Sequence, residues 1–126
     1  MKSNQGCRYI LYHWGPAVLW MGFIFFLSSQ STLPEIPGVG SIDWGDKIEH
    51  AITYAILGVL IWRALGKRSK RRLVVLTILM GTVYGLSDEV HQLFVPGRSF
   101  DLLDLTADAL GSAVSAIILI TLKGGD

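Results

Sequence analysis

The sequence predicts an all-α fold: a four-helix transmembrane bundle with both termini inside and a polar cluster near its outer face. Three observations predict it. Hydrophobic residues make up 51% of the 126 residues and charged residues only 17%, where a soluble domain carries nearer ~25% charge. The apolar residues fall into four runs separated by polar or turn-forming segments. Six basic residues lie between Arg63 and Arg72, Lys67, Arg68, Lys70 and Arg71 among them. Between two apolar runs, such a segment reads as a cytoplasmic loop under the positive-inside rule rather than as a nucleic-acid patch. A net charge of +1 gives no support to nucleic-acid binding either. The lone Cys7 has no disulfide or zinc partner.

The first span is expected at about residues 10–30. Tyr9–Gln30 is uncharged apart from His13 and is long enough to cross. It has a basic start and small residues at Ser28–Ser31, but it lacks an A-x-A site and outruns a usual signal core. It is therefore read as a retained span. In residues 31–45, Pro34, Pro37, Gly38, Gly40 and Gly45 exclude a long helix, and Glu35 and Asp43 read as solvated loop residues. Trp44 is expected at the outer water–lipid boundary, and Trp14 and Trp62 at the inner one.

The other three spans, at about 46–65, 73–94 and 101–122, share a peculiarity. Only 13 uncharged residues separate Glu49 from Arg63, 15 separate Arg72 from Asp88, and 14 separate Asp108 from Lys123. At ~1.5 Å per residue these reach only ~20–22 Å, short of a ~30 Å hydrocarbon core. Each span is long enough only if it carries the polar residues at one of its ends, which read DKIEH, SDEVHQ and DLLDLTAD. Ionisable groups at membrane depth are costly and point to function by default. Val95–Phe100 is a tight turn that makes the last two spans antiparallel neighbours. The whole of residues 1–126 reads as one domain.

Four spans put both termini on one side. If that side is the cytoplasm, nine of the eleven Lys and Arg residues lie inside, leaving only Lys47 and Arg98 outside. The chain is then a multi-pass protein of the cytoplasmic (inner) membrane, and every intramembrane polar end faces outward. Asp46, His50 and Tyr54 share a helix face, as do Tyr84, Asp88 and Gln92, with Glu89 one step round. Asp101, Asp104 and Asp108 follow i, i+3, i+7. Stripes of this kind should face one another rather than lipid.

The outer side then holds nine carboxylates against Lys47 and Arg98. Crowded carboxylates are neutralised by protonation, by pairing with Lys47, Arg98 and a histidine, or by a metal cation, and the three can coexist. Asp101 also suits the N-cap of the fourth span, and Asp104 its first turn. His91 is expected at the surface, and Lys47 can snorkel to the interface. Gly81 and Gly85, with Gly111, Ser112, Ser115 and Ala116, permit close helix contact.

Asp46, Lys47, His50 and Tyr54 form D-K-x-x-H-x-x-x-Y, which resembles the second-span motif of VanZ-like membrane proteins. Asp88, Glu89, Gln92, Pro96, Gly97 and Arg98 form D-E-x-x-Q-x-x-x-P-G-R, also similar to that family, as are the following Asp104 and the Phe26–Gln30 segment. The resemblance covers roughly residues 16–120. Where the family commonly shows Ala-Asn before x-x-Gly, this chain has Ala107–Asp108, which keeps an acceptor and loses a donor. The resemblance implies a small integral membrane protein of the bacterial envelope. The family takes its name from a member linked to reduced sensitivity to teicoplanin.

Three functions stay open at this level. In the first, an outer-leaflet enzyme acts on a lipid-linked or phosphorylated envelope molecule. His50, Asp88 and Glu89 are its candidate catalytic residues, and Lys47 and Arg98 hold an anionic headgroup. Asp46, Tyr54, Gln92, Asp104 and Asp108 complete the candidate binding set. In the second, the same residues form a non-enzymatic binding pocket or an inter-helix structural network. The third, ion or proton movement, is the weakest, because the inner halves of the spans are apolar. A divalent metal is compatible with the residues and not required by them, since no short ligand motif such as H-E-x-x-H is present. The expected partners are membrane lipid and an anionic lipid headgroup or lipid-linked envelope precursor, with no nucleic acid.

Overall fold

A computed structural model describes residues 2–32, 37–38 and 44–124, excluding the side chains of Lys2 and Ser3. It contains four helices: α1 (Lys2–Ser28), α2 (Gly45–Leu65), α3 (Lys70–Gln92) and α4 (Leu102–Leu122). Each is long and apolar enough to cross a membrane, and no strand occurs among the described residues. The expectations for Pro34, Glu35, Gly40 and Asp43 lie outside the described residues.

The helix ends follow local chemistry. Helix α1 starts at Lys2, well before the apolar run, because no Pro or Gly-rich stop precedes Tyr9; Pro16 lies inside it. Ser69 caps α3, its side chain accepting from the Arg72 N–H, and Asp101 caps α4, accepting from the Leu103 N–H at 2.8 Å. At the C-terminus of α2, Gly66 takes φ +67°, and the Arg68 guanidinium donates to the Leu65 carbonyl. Between α3 and α4, Gly97 takes φ +79° and the Arg98 N–H donates to the Val95 carbonyl at 3.1 Å. A side chain with a Cβ would be strained at Gly97, so the turn depends on glycine.

Helix α4 lies against both α2 and α3, and its most extensive contact is with α2. Small residues make this possible. A Cβ on Gly111 would collide with the Ala51 carbonyl of α2, and one on Gly58 with Ser115 of α4. On the other flank, a Cβ on Gly81 would strike Ser112, and one on Gly85 would sit 2.8 Å from Asp108 Oδ2. Between helices in lipid, close packing of this kind replaces the hydrophobic drive available in water. Gly58 was not singled out from the sequence because it belongs to no G-x-x-x-G pair.

Helix α1 is peripheral. Among the described residues it touches α2 and α3 but not α4, and buries only Ala17, Ile24 and Ser28 along a thin stripe. Among the bonds that pin it, Trp20 Nε1 donates to the Thr53 carbonyl at 3.0 Å, the Tyr84 hydroxyl donates to the Met21 carbonyl at 2.5 Å, and Ser28 Oγ lies 3.3 Å from His91 Nδ1. Its other faces expose Leu19, Tyr12 and Phe26, as suits a helix surrounded by lipid. Trp62, expected at the inner water–lipid boundary, packs against the core with 4% exposure, beside Leu57, Ile61, Leu65 and Leu73. Its position follows from its face of α2, which is the one turned inward.

Candidate functional site

The polar ends of α2, α3 and α4 converge at the end of the bundle that carries the α1–α2 and α3–α4 connections. The i, i+4, i+8 spacing in α2 puts Asp46, His50 and Tyr54 in line down the inward face. From α3 come Asp88, Glu89 and Gln92, all buried. From α4 come Asp104 and Asp108, also buried, with the capping Asp101 above them.

The convergence forms two linked arrangements. In the upper one, Lys47 sits among three carboxylates, with Nζ 2.6 Å from Asp46 Oδ2, 2.7 Å from Asp101 Oδ2 and 2.5 Å from Asp104 Oδ1. Charge-assisted bonds of this length are among the stronger ones. Lys47 was expected to hold an anionic ligand at the pocket mouth. Its ammonium is instead taken up within the protein, because one cation stands where three acidic side chains meet. The Lys47 ammonium and the Leu103 N–H hold the Asp101 carboxyl below its usual pKa.

In the lower arrangement, His50 Nδ1 lies 2.7 Å from Asp108 Oδ1, and Nε2 lies 3.7 Å from Asp104 Oδ2. The Asp101 N–H donates to Glu89 Oε2 at 2.9 Å, tying the α4 N-terminus to α3. Glu89 and Asp108 are both 0% exposed. Glu89 Oε1 and Asp108 Oδ2 find no hydrogen-bond partner among the described residues. The Tyr54 hydroxyl donates to Asp88 Oδ2 at 3.4 Å, a long bond. Gln92 is buried beside them.

A cavity of about 460 Å³ opens next to these groups. Its polar wall includes His50, Tyr54, Asp88, Gln92, Arg98 and Asp104, while Phe23, Ile24 and Leu27 of α1 supply an apolar wall. Arg98 makes no ion pair with the described residues, although Lys47, His50 and their carboxylates do. It is therefore the cation that the cavity offers to a ligand. An apolar side, a polar side and a guanidinium with no ion pair among the described residues together suit an amphiphile with an anionic head.

Among the described residues, two groups of side chains have spacing that can hold a metal: His50–Glu89–Asp104 and Asp46–Asp101–Asp104. Lys47 already fills the second.

The structure thus brings together all ten of the residues singled out from the sequence. Their chemical roles are a separate matter. His91, expected at the surface, is half-buried: it stacks on Phe25 at 4.3 Å and lies 3.3 Å from Ser28 Oγ. The contribution of α1 was missed. Ser28, Phe23, Ile24 and Leu27 line the cavity, yet an uncharged span carries no pattern that marks its pocket face. The sole signal was Ser28–Ser29–Gln30, which reads equally as the end of a span.

Comparison with known proteins gives three findings. A family model described as VanZ/LLP1 matches residues 13–123. An uncharacterized protein of the fission yeast Schizosaccharomyces pombe is 36% identical over 99 residues, covering 78% of this chain. The match spans only 60% of that relative's length. No solved structure matches.

Proposed function

The chain belongs to the VanZ/LLP1 family, and from this premise we propose that its cavity binds a lipid-linked or phosphorylated molecule and acts on it by acid–base chemistry. The chain is a multi-pass membrane protein. The observation that carries the proposal is the two-sided cavity, with α1 side chains on one wall and Arg98 beside the carboxylate–histidine cluster on the other. Arg98 holds the anionic head through its guanidinium fork. The acyl or prenyl part lies along Phe23, Ile24 and Leu27. His50 and Glu89 serve as acid and base, and Asp88, Tyr54 and Gln92 orient the head.

The charge pattern supports an outer-leaflet site in the cytoplasmic membrane with both termini cytoplasmic. The exposed basic residues 63–72 gather at the opposite end of the bundle from the cluster. A relative in a yeast favours a ligand common to bacterial and eukaryotic membranes over one peculiar to a bacterial wall. A link to glycopeptide resistance would then be indirect, through altered lipids.

The second reading is a non-enzymatic binding or structural protein. It is favoured by the Lys47 clamp, which cross-links α2 to the start of α4. A purely structural network leaves no acceptor unpaired, whereas Glu89 Oε1 and Asp108 Oδ2 lack partners among the described residues.

The test compares lipid and envelope-precursor profiles in cells carrying the wild-type chain, Glu89→Gln or His50→Ala at equal membrane levels. Accumulation of one phosphorylated or lipid-linked species in both variants is the expected result. An unchanged profile would remove the enzymatic reading. Should neither variant reach wild-type membrane levels under any expression condition, the structural reading would be favoured.

A further inference from the structure

We infer that His50, Glu89 and Asp104 form a binding site for a divalent transition-metal ion, with Asp108 as the carboxylate that orients the histidine. The inference rests on the proposed cavity but replaces part of the reading above: with the ion bound, His50 and Glu89 are its ligands instead of the acid and base, and the test needs no envelope ligand.

The three residues come from three helices, α2, α3 and α4, and each offers one donor atom within 4.8 Å of the others. Acidic clusters are common, so spacing alone is weak. Three further observations point to an ion. The first is the histidine. Asp108 Oδ1, on a fully buried carboxylate, lies 2.7 Å from Nδ1. With the Asp108 carboxylate as acceptor, the proton lies on Nδ1 and the lone pair on Nε2, which is 3.7 Å from Asp104 Oδ2. A carboxylate on the far ring nitrogen is the usual outer partner of a metal-bound histidine, since it fixes the tautomer and raises the basicity of the ligating nitrogen.

The second is Glu89, which is 0% exposed. Its Oε2 is held by the Asp101 N–H, while Oε1 has no hydrogen-bond partner among the described residues. A buried carboxylate oxygen left unpaired is costly, and a cation satisfies it directly.

The third is charge. Asp46, Asp88, Glu89, Asp101, Asp104 and Asp108 gather around one lysine, one histidine and one arginine, and the lysine is already shared by three of the six. A divalent ion below Lys47 offsets part of the remaining negative charge. It also makes the region less hostile to an anionic ligand.

The donor set names the class of ion. One imidazole nitrogen with two carboxylate oxygens suits Zn²⁺, Mn²⁺ or Fe²⁺, whereas Mg²⁺ and Ca²⁺ prefer oxygen alone. Bonds of ~2.0–2.2 Å put tetrahedral donors roughly 3.4 Å apart, so the side chains must draw in by about an ångström. His50 and Asp104 also line the cavity, so the open coordination positions face the space proposed for the ligand.

The competing occupant is a proton, with His50 as an imidazolium between Asp104 and Asp108. The experiment uses the full chain in detergent micelles, stripped with EDTA and titrated with Mn²⁺ under electron paramagnetic resonance. The expected result is one Mn²⁺ per chain, displaced by Zn²⁺, with spin-echo modulation from an imidazole nitrogen. His50→Ala removes that modulation. Asp108→Asn weakens binding by roughly 10- to 100-fold, as expected for an outer partner, and Glu89→Gln and Asp104→Asn each weaken it at least as much. Failure of the wild-type chain to bind Mn²⁺ or Zn²⁺ up to millimolar concentration would overturn the inference, as would bound Mn²⁺ without nitrogen coupling. Loss of binding in Asp46→Asn but not in His50→Ala would place the ion in the other acidic group and also overturn it. The wild-type spectrum decides the matter even if a variant fails to fold.

Discussion

The two ends of the bundle treat charge in opposite ways. At the α2–α3 end, Arg63, Lys67, Arg68, Lys70, Arg71 and Arg72 are all exposed. None of them pairs with a carboxylate among the described residues: the Arg63 guanidinium lies 4.8 Å above the Tyr12 ring and the Arg68 guanidinium donates to the Leu65 carbonyl. At the other end, Asp88, Glu89, Asp104 and Asp108 are buried and cross-linked between helices. The difference follows from side-chain length. Long Lys and Arg stems carry their charge out to water from inside a helix end. Asp and Glu are too short, so at similar depth they must pair, bind a cation or take up a proton. The basic end needs only to be positive; the acidic end needs particular partners.

The strongest test of this contrast removes one half of a buried pair. Replacing His50 by Leu leaves Asp108 buried without its partner and should cost about 3–5 kcal/mol of stability. Adding Asp108→Leu should recover most of that loss, because two apolar groups can replace a buried pair at little cost. Thermal unfolding in micelles measures both. A double variant no more stable than the single one would show that the two residues are not energetically coupled.

A smaller effect is expected at Lys47. Lys47→Met should let the Asp101 carboxyl rise toward its ordinary value near ~3.9, read by carbon NMR of that side chain. Because the folded value is depressed, the stabilisation it reports is present above the unfolded pKa. It is lost as pH falls through the folded one. The acid limb of the stability curve should therefore flatten in the variant.

The smallest effect belongs to the basic end. Lys67→Ala or Arg71→Ala should change stability by no more than about 0.5 kcal/mol, since neither side chain is buried. A loss as large as that at His50 would erase the distinction between the two ends.

Much of this arrangement was legible in the chain. The three apolar runs that stop short, and the i, i+4 stripes of Asp46–His50–Tyr54 and Tyr84–Asp88–Gln92, place the polar residues at one end and on inward faces. Asp101 as a cap and Gly81 and Gly85 as contact points followed from their positions. The pairing of Lys47, the stacking of His91 and the burial of Trp62 did not. Each depends on which neighbouring helix its face meets.

The division has a physical cause. Hydropathy and helical period belong to one segment at a time, so the sequence by itself determined four helices, their apolar lengths and the face on which each carries its polar groups. Pairing belongs to two or three helices at once, and depends on their rotation and register. Those are set by contacts such as Gly111 on Ala51 and Gly85 on Asp108, spread over distant parts of the chain. Only the tertiary structure decided that Lys47 is taken up by three carboxylates, that Asp108 holds His50, that Glu89 keeps an oxygen without a partner among the described residues, and that an uncharged α1 supplies the apolar wall of the cavity.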